Sequence, residues 1–152
     1  MASLNRAYGA RGAAIALALA SVVGLVHGTM AASFDYLGVK IGVGVAGAVM
    51  MIIAGVVSAR RSVLAALATG LAMGCVFFVV RWAAWATIVG GPTELMTFFG
   101  TTPWGWPAYL SARGISGFWI VEATSMTIPA LVGCIAGQER TEDRPSSVRS
   151  SS

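Results

Sequence analysis

The chain has 152 residues, 57% of them hydrophobic and only 11% charged, with a formal net charge of +4 and a mean hydropathy of +0.78. Soluble domains run at about 45–50% apolar and about 25% charged residues, so a water-soluble globule with a charged shell is excluded. So are collagen, because the 19 glycines keep no three-residue period, and a disordered chain, because the body is apolar.

What remains is a single-domain integral membrane protein. About 20 apolar residues in a helix cross about 30 Å of hydrocarbon, and four stretches qualify. A short N-terminal segment, 1–11, precedes spans at about 12–34, 39–57, 62–90 and 115–137. An outer loop, 91–114, joins the last two, and a polar, serine-ended tail, 138–152, should be disordered. None of the stretches alternates as a barrel strand does. The expected fold is all-α, a four-helix transmembrane bundle.

Charge orients it. Arg6, Arg11, Arg60, Arg61, Arg140, Arg144 and Arg149 fall on one side, against Lys40 and Arg113 on the other. Arginine excess marks the cytoplasmic side, so both termini are expected there. Arg6 and Arg11 before an apolar run ending near Thr29-Met30-Ala31 also fit a signal peptide. The run continues to Phe34, longer than a signal core, which favours an uncleaved anchor.

Small residues mark where helices approach in lipid. The first span carries Ala13, Ala16, Ala20 and Gly24; the second Gly38, Gly42 and Ala46, with Gly44, Gly47 and Gly55 nearby. The third carries Ala66, Gly70 and Gly74, and the fourth Gly133 and Gly137. On a helical wheel Arg81 falls within about 20° of Gly70 and Gly74, Glu122 within about 20° of Gly133 and Pro129, and His27 within about 20° of Ala16 and Ala20. Three ionisable side chains thus point into the bundle at similar heights, in the half away from the termini, with Asp35 and Lys40 at the rim above.

A charge at mid-bilayer costs at least about 2.5–3.5 kcal/mol, so an Arg81–Glu122 ion pair with His27 as third member is expected. Such a pair locks helices together, or lines a pocket in which Arg81 holds an anionic or carbonyl-bearing group. Trp85, one turn above Arg81, is placed for a cation–π contact, and Trp119 precedes Glu122 by three residues. The aromatic run Pro103-Trp104-Gly105-Trp106-Pro107 with Tyr109 is of the interface-anchoring kind.

Cys75 and Cys134 are expected at different heights, which argues against a disulfide, and two thiols with one histidine in the chain make no metal site. Both are read as apolar packing residues. No cofactor is expected. The stretch Val80-Arg81-Trp82 through Gly90-Gly91-Pro92, with Glu122 early in the last helix, resembles small bacterial membrane proteins related to the DoxX-like group. The likeness spans about Tyr36–Leu131; the arginine and paired glycines expected early in the second helix are missing, and Lys40 and Gly42 only approximate them. The resemblance implies a four-helix inner-membrane fold and no assigned activity.

Three functions remain in view: an accessory bundle packing on itself or a larger membrane complex; a binder or carrier of a small anionic, quinone-like or lipid-headgroup ligand at Arg81, Glu122 and His27; and a proton-coupled channel or carrier. The last has only one polar layer to work with. An enzyme is disfavoured, since no nucleophile motif or phosphate loop is present and Ser21, Ser116 and Ser125 have no adjacent base. Nucleic-acid binding is disfavoured too, because the basic flanks suit anionic lipid headgroups.

Overall fold

The computed structural model describes residues 2–34, 37–58, 62–112 and 118–142, and within these not the side chains of 2–9, 37, 118, 119, 122 and 139–142. Of the residues singled out above, Asp35, Arg60, Arg61, Arg113, Ser116, Arg144 and Arg149 lie outside the described residues, as do the side chains of Arg6, Trp119, Glu122 and Arg140.

The described chain is helical: α1 Ala2–Ser33, α2 Leu37–Val57, α3 Val63–Gly100, α4 Trp106–Ser111 and α5 Phe118–Glu142. Among the described residues three stretches are long and apolar enough to cross a membrane, Ala10–Ser33, Gly38–Val57 and Val63–Gly100. Their outer faces carry Val22, Ile41, Val45, Leu64 and Leu71 in the open, as expected where the solvent is lipid. Helix α1 takes in the N-terminal segment from Ala2, and α5 runs through 138–142 into the tail expected to be disordered. In a helix each backbone polar group finds its partner locally, which favours extension past the apolar limit.

Four long helices form a ring in the order α1, α3, α5, α2, with α2 and α3 barely touching across its diagonal. Glycines set the register. A methyl group on Gly12 would lie 2.8 Å from the Ser58 carbonyl, and one on Gly24 2.8 Å from the Phe77 carbonyl. On Gly70 it would lie 2.7 Å from Leu131 Cδ2, and on Gly137 2.7 Å from the Val56 carbonyl. These contacts make α1 and α3 parallel, α2 and α5 parallel, and the other neighbouring pairs antiparallel. They also bring the start of α1, the end of α2 and the end of α5 to one end of the bundle.

The main core contains Ala16, Ala20, Val23, Met51, Met73, Phe77, Met126 and Cys134. Cys134 Sγ lies 3.5 Å from Ser58 Oγ, whereas Cys75 is exposed. Packing therefore involves only one of the two cysteines. Helix α3 starts cleanly, because Ser62 is extended (φ −130°, ψ 141°) and its Oγ accepts from Ala65 N at 3.2 Å, an N-cap.

The expected outer loop at 91–114 is largely folded. The helical path breaks at Gly91 (φ 66°, ψ −157°), a backbone region that only glycine enters readily. Pro92 supplies the restart: it disfavours helical geometry at the residue before it and suits a first helical position. The chain then doubles back. Phe78 and Phe98 both pack on Trp106, with ring centroids 5.7 and 5.3 Å from its own, although about 30 Å of straight helix would separate them. Phe98 and Trp106 stack with 4° between planes, Trp106 Nε1 donates to the Phe98 carbonyl at 3.3 Å, and Tyr109 Oη donates to Glu94. Trp82, Phe98, Tyr109 and Leu110 form a second core that caps the end opposite the termini.

Gly91→Ala should loosen this cap, since a Cβ in that conformation costs about 1–3 kcal/mol. Limited proteolysis should then cut faster between residues 92 and 111, and an unchanged cleavage rate would refute the role assigned to the break.

Candidate functional site

One turn beyond the apolar layer of Val23, Gly47, Phe77 and Met126, the bundle changes character. A methyl group on Gly47 would meet Val23 Cγ1 at 3.3 Å and Met126 Cε at 3.4 Å, so these three share a level. Stepping one turn away from the termini along each helix leads to His27 in α1, Gly44 in α2, Arg81 in α3 and position 122 in α5. Helical periodicity keeps His27, Gly44 and Arg81 on the core side of their helices.

Arg81 is buried at 4% exposure. Its Nε donates to His27 Nδ1 at 3.3 Å, and its Cζ lies 4.0 Å from the centroid of the Trp82 ring. His27 is half-buried and edge-on to Phe77, with centroids 5.7 Å apart and planes at 76°. The helices can come this close because Gly24 and Gly28 face α3. A methyl group on Gly28 would run into the Arg81 carbonyl and lie 2.9 Å from Ala84 Cβ.

The Nε–H of arginine only donates, so His27 Nδ1 is unprotonated and the ring proton sits on Nε2. Among the described residues Nε2 has no hydrogen-bond partner. Gly44 is half-buried, yet a methyl group there would meet no heavy atom within 4 Å among the described residues.

The structure brings together Arg81 and His27. Trp85 is half-buried and packs edge-on to Trp82 at 5.5 Å; the guanidinium lies over Trp82 instead, the residue next to it in sequence. Its Nε1 is buried with no acceptor among the described residues. Gly70 and Gly74 face α5, at Leu131 and Thr127, and Gly133 and Gly137 face α2, at Ile52 and Val56.

Among the described residues Gly38 and Gly42 stay outside the packed interior. Both are exposed, as is Ala46, and a methyl group on Gly42 would meet nothing within 4 Å. The inward line of α2 instead runs through Gly44, Gly47, Met51 and Ala54. Two small-residue stripes compete on α2, and periodicity alone does not rank them.

Sequence reasoning missed Gly28, although Gly24-xxx-Gly28 has the same four-residue step as the stripes it used. It also missed the Glu94–Tyr109 contact, which needs the reversal at Gly91. Among the described residues no cluster of histidine, cysteine or acidic side chains is arranged to hold a metal ion. No family model, no curated protein and no solved structure matches this chain.

Proposed function

We propose that this chain is a four-helix bacterial inner-membrane protein of the DoxX-like kind, with both termini cytoplasmic, that acts as an accessory bundle. It packs through α2 against a second copy or a helix of a larger membrane complex. α5 is the fourth span: Val121, Ile128, Val132 and Ile135 are exposed along it. Arg11, the end of α2 and the end of α5 share one end of the bundle, which supports cytoplasmic placement by arginine excess.

The observation that carries the accessory reading is the exposed Gly38-Gly42-Ala46 face. A small residue every fourth position lets two helix backbones approach in lipid, where packing and not hydrophobicity drives association. Extracted in gentle detergent, the chain should run as a larger assembly. The double variant Gly38→Leu/Gly42→Leu should run smaller by light scattering, with an unchanged melting temperature because both positions are exposed. A lone wild-type monomer in lipid nanodiscs, or an assembly indifferent to both leucines, would count against it.

A second reading, a binding site for a small anionic, quinone-like or lipid-headgroup ligand, is favoured by the buried Arg81 guanidinium with the His27 ring beside it. In this reading Glu122 is the group that balances the charge of Arg81.

A further inference from the structure

We infer that the arm after the break at Gly91, residues 92–104, re-enters the bilayer and docks on acyl chains of the leaflet away from the termini through Met96, Phe99 and Trp104. Such docking is independent of the α2 contact and needs only that the bundle sits in a membrane.

Depth comes first. Arg81 bonds to His27, which lies about 9 Å inside the end of α1 at Ser33. Trp82 is therefore well within the span, and Phe78 is one turn deeper. The arm returns to this level: Phe98 joins Trp82 in one buried cluster, and the Trp106 ring packs on both Phe78 and Phe98. A helix over 92–100 is about 13 Å long, enough to make that descent from Gly91. Trp104, two residues from Trp106, is thus carried below the interface at which its sequence pattern places it.

The open side of the arm is apolar. Met96 and Phe99 share a face of the helix and are 73% and 57% exposed, and Trp104 is 90% exposed. The same surface continues onto the first limb of α3, where Ile88 and Val89 are exposed and Thr87 Oγ1 donates to the Ala83 carbonyl at 2.8 Å. No step in polarity separates the limb that spans from the arm that returns.

The polar groups of the arm are matched to hydrocarbon as well. Glu94 is the only charged residue between Arg81 and Arg113, and it accepts the Tyr109 hydroxyl. Thr97 and Thr101 donate their hydroxyls to the carbonyls of Thr93 and Thr97 at 2.9 and 2.8 Å. At the turn, Thr101 N donates to the Thr97 carbonyl at 3.1 Å and Gly105 N to the Thr102 carbonyl at 2.8 Å, while Pro103 and Pro107 have no N–H to satisfy. Backbone and hydroxyl groups already bonded within the segment are what a stretch at membrane depth requires; a loop in water needs none of this.

The test uses the full chain in nanodiscs of phosphatidylcholine, plain or with acyl chains brominated near the glycerol end, and reads the tryptophan emission that Trp104→Phe removes. Trp104 is open, so this variant should melt as wild type does. Bromine should quench most of that emission and aqueous iodide little of it. Spin labels on Met96→Cys and Phe99→Cys, each in a Cys75→Ala background, should collide more with oxygen than with a water-soluble nickel chelate. Emission that iodide quenches and bromine spares, or labels that favour the chelate, would overturn the proposal and return the arm to water. Emission spared by both quenchers would overturn it too, with a protein surface covering the arm.

Leu25→Trp in the Trp104→Phe background reports an exposed position of α1 and separates the arm from the bundle. If bromine quenches the new tryptophan and spares Trp104, the arm fails and the span stands. If it spares both, both fail.

Discussion

Adding one methyl group to Gly28 should damage the bundle more than any other single-carbon change in α1. The new Cβ would meet the Arg81 carbonyl, which the α3 helix holds in place, and Ala84 Cβ at 2.9 Å. Neither neighbour is the free end of a flexible side chain, so α1 and α3 must separate. Overpacking of this kind costs about 1–3 kcal/mol and occasionally more. Here the separation also stretches the Arg81–His27 hydrogen bond, which adds to the loss. Gly28→Ala should unfold at a clearly lower temperature in detergent, whereas Gly42→Ala, facing open space, should match wild type. Equal melting of the two variants would mean that the α1–α3 contact is not the tight one.

Arg81→Lys should be nearly as damaging as removal of the side chain, despite keeping the charge. Lysine has no Nε–H to give His27 from the same position and no planar group to lie on Trp82. A hydrogen bond involving a charged group contributes about 1.5–3 kcal/mol, and a desolvated cation–π contact about 2 kcal/mol. The expected loss is therefore about 3 kcal/mol or more, read as a lower melting temperature together with a changed tryptophan emission, since Trp82 and Trp85 pack on each other. If Arg81→Lys melts like wild type, position 81 needs only a charge, and the geometry around the guanidinium is incidental.

The helical class and the long apolar stretches were legible because lipid imposes length and hydropathy on every span, a constraint that needs no tertiary information. The same constraint turns a polar side chain within a span toward the interior, where Arg81 and His27 meet; Glu122, the partner expected for Arg81, lies outside the described side chains. Which small-residue stripe of α2 points inward was not. Gly38-Gly42-Ala46 has the stronger local pattern, but the inward line is decided by where Val23 and Met126 stand on other helices. The cap was also hidden. Gly90-Gly91-Pro92 reads as a turn, and only the return of Phe98 and Trp106 onto Phe78 and Trp82 shows that the turn folds an aromatic segment back on its own helix. The choice of Trp82 over Trp85 beneath the guanidinium depended on side-chain direction, which spacing alone leaves open.

The crossing of the ring has a consequence for how the chain reaches its final form. The most extensive pairings, α1 with α3 and α2 with α5, join helices that are not successive along the chain. No hairpin leaving the ribosome is therefore a finished unit: α1 waits for α3, and α2 waits for the last helix to be made. Until then Gly24, Gly28 and Gly55 lie bare against lipid. Any factor that shields those grooves during synthesis would govern how much of the protein matures.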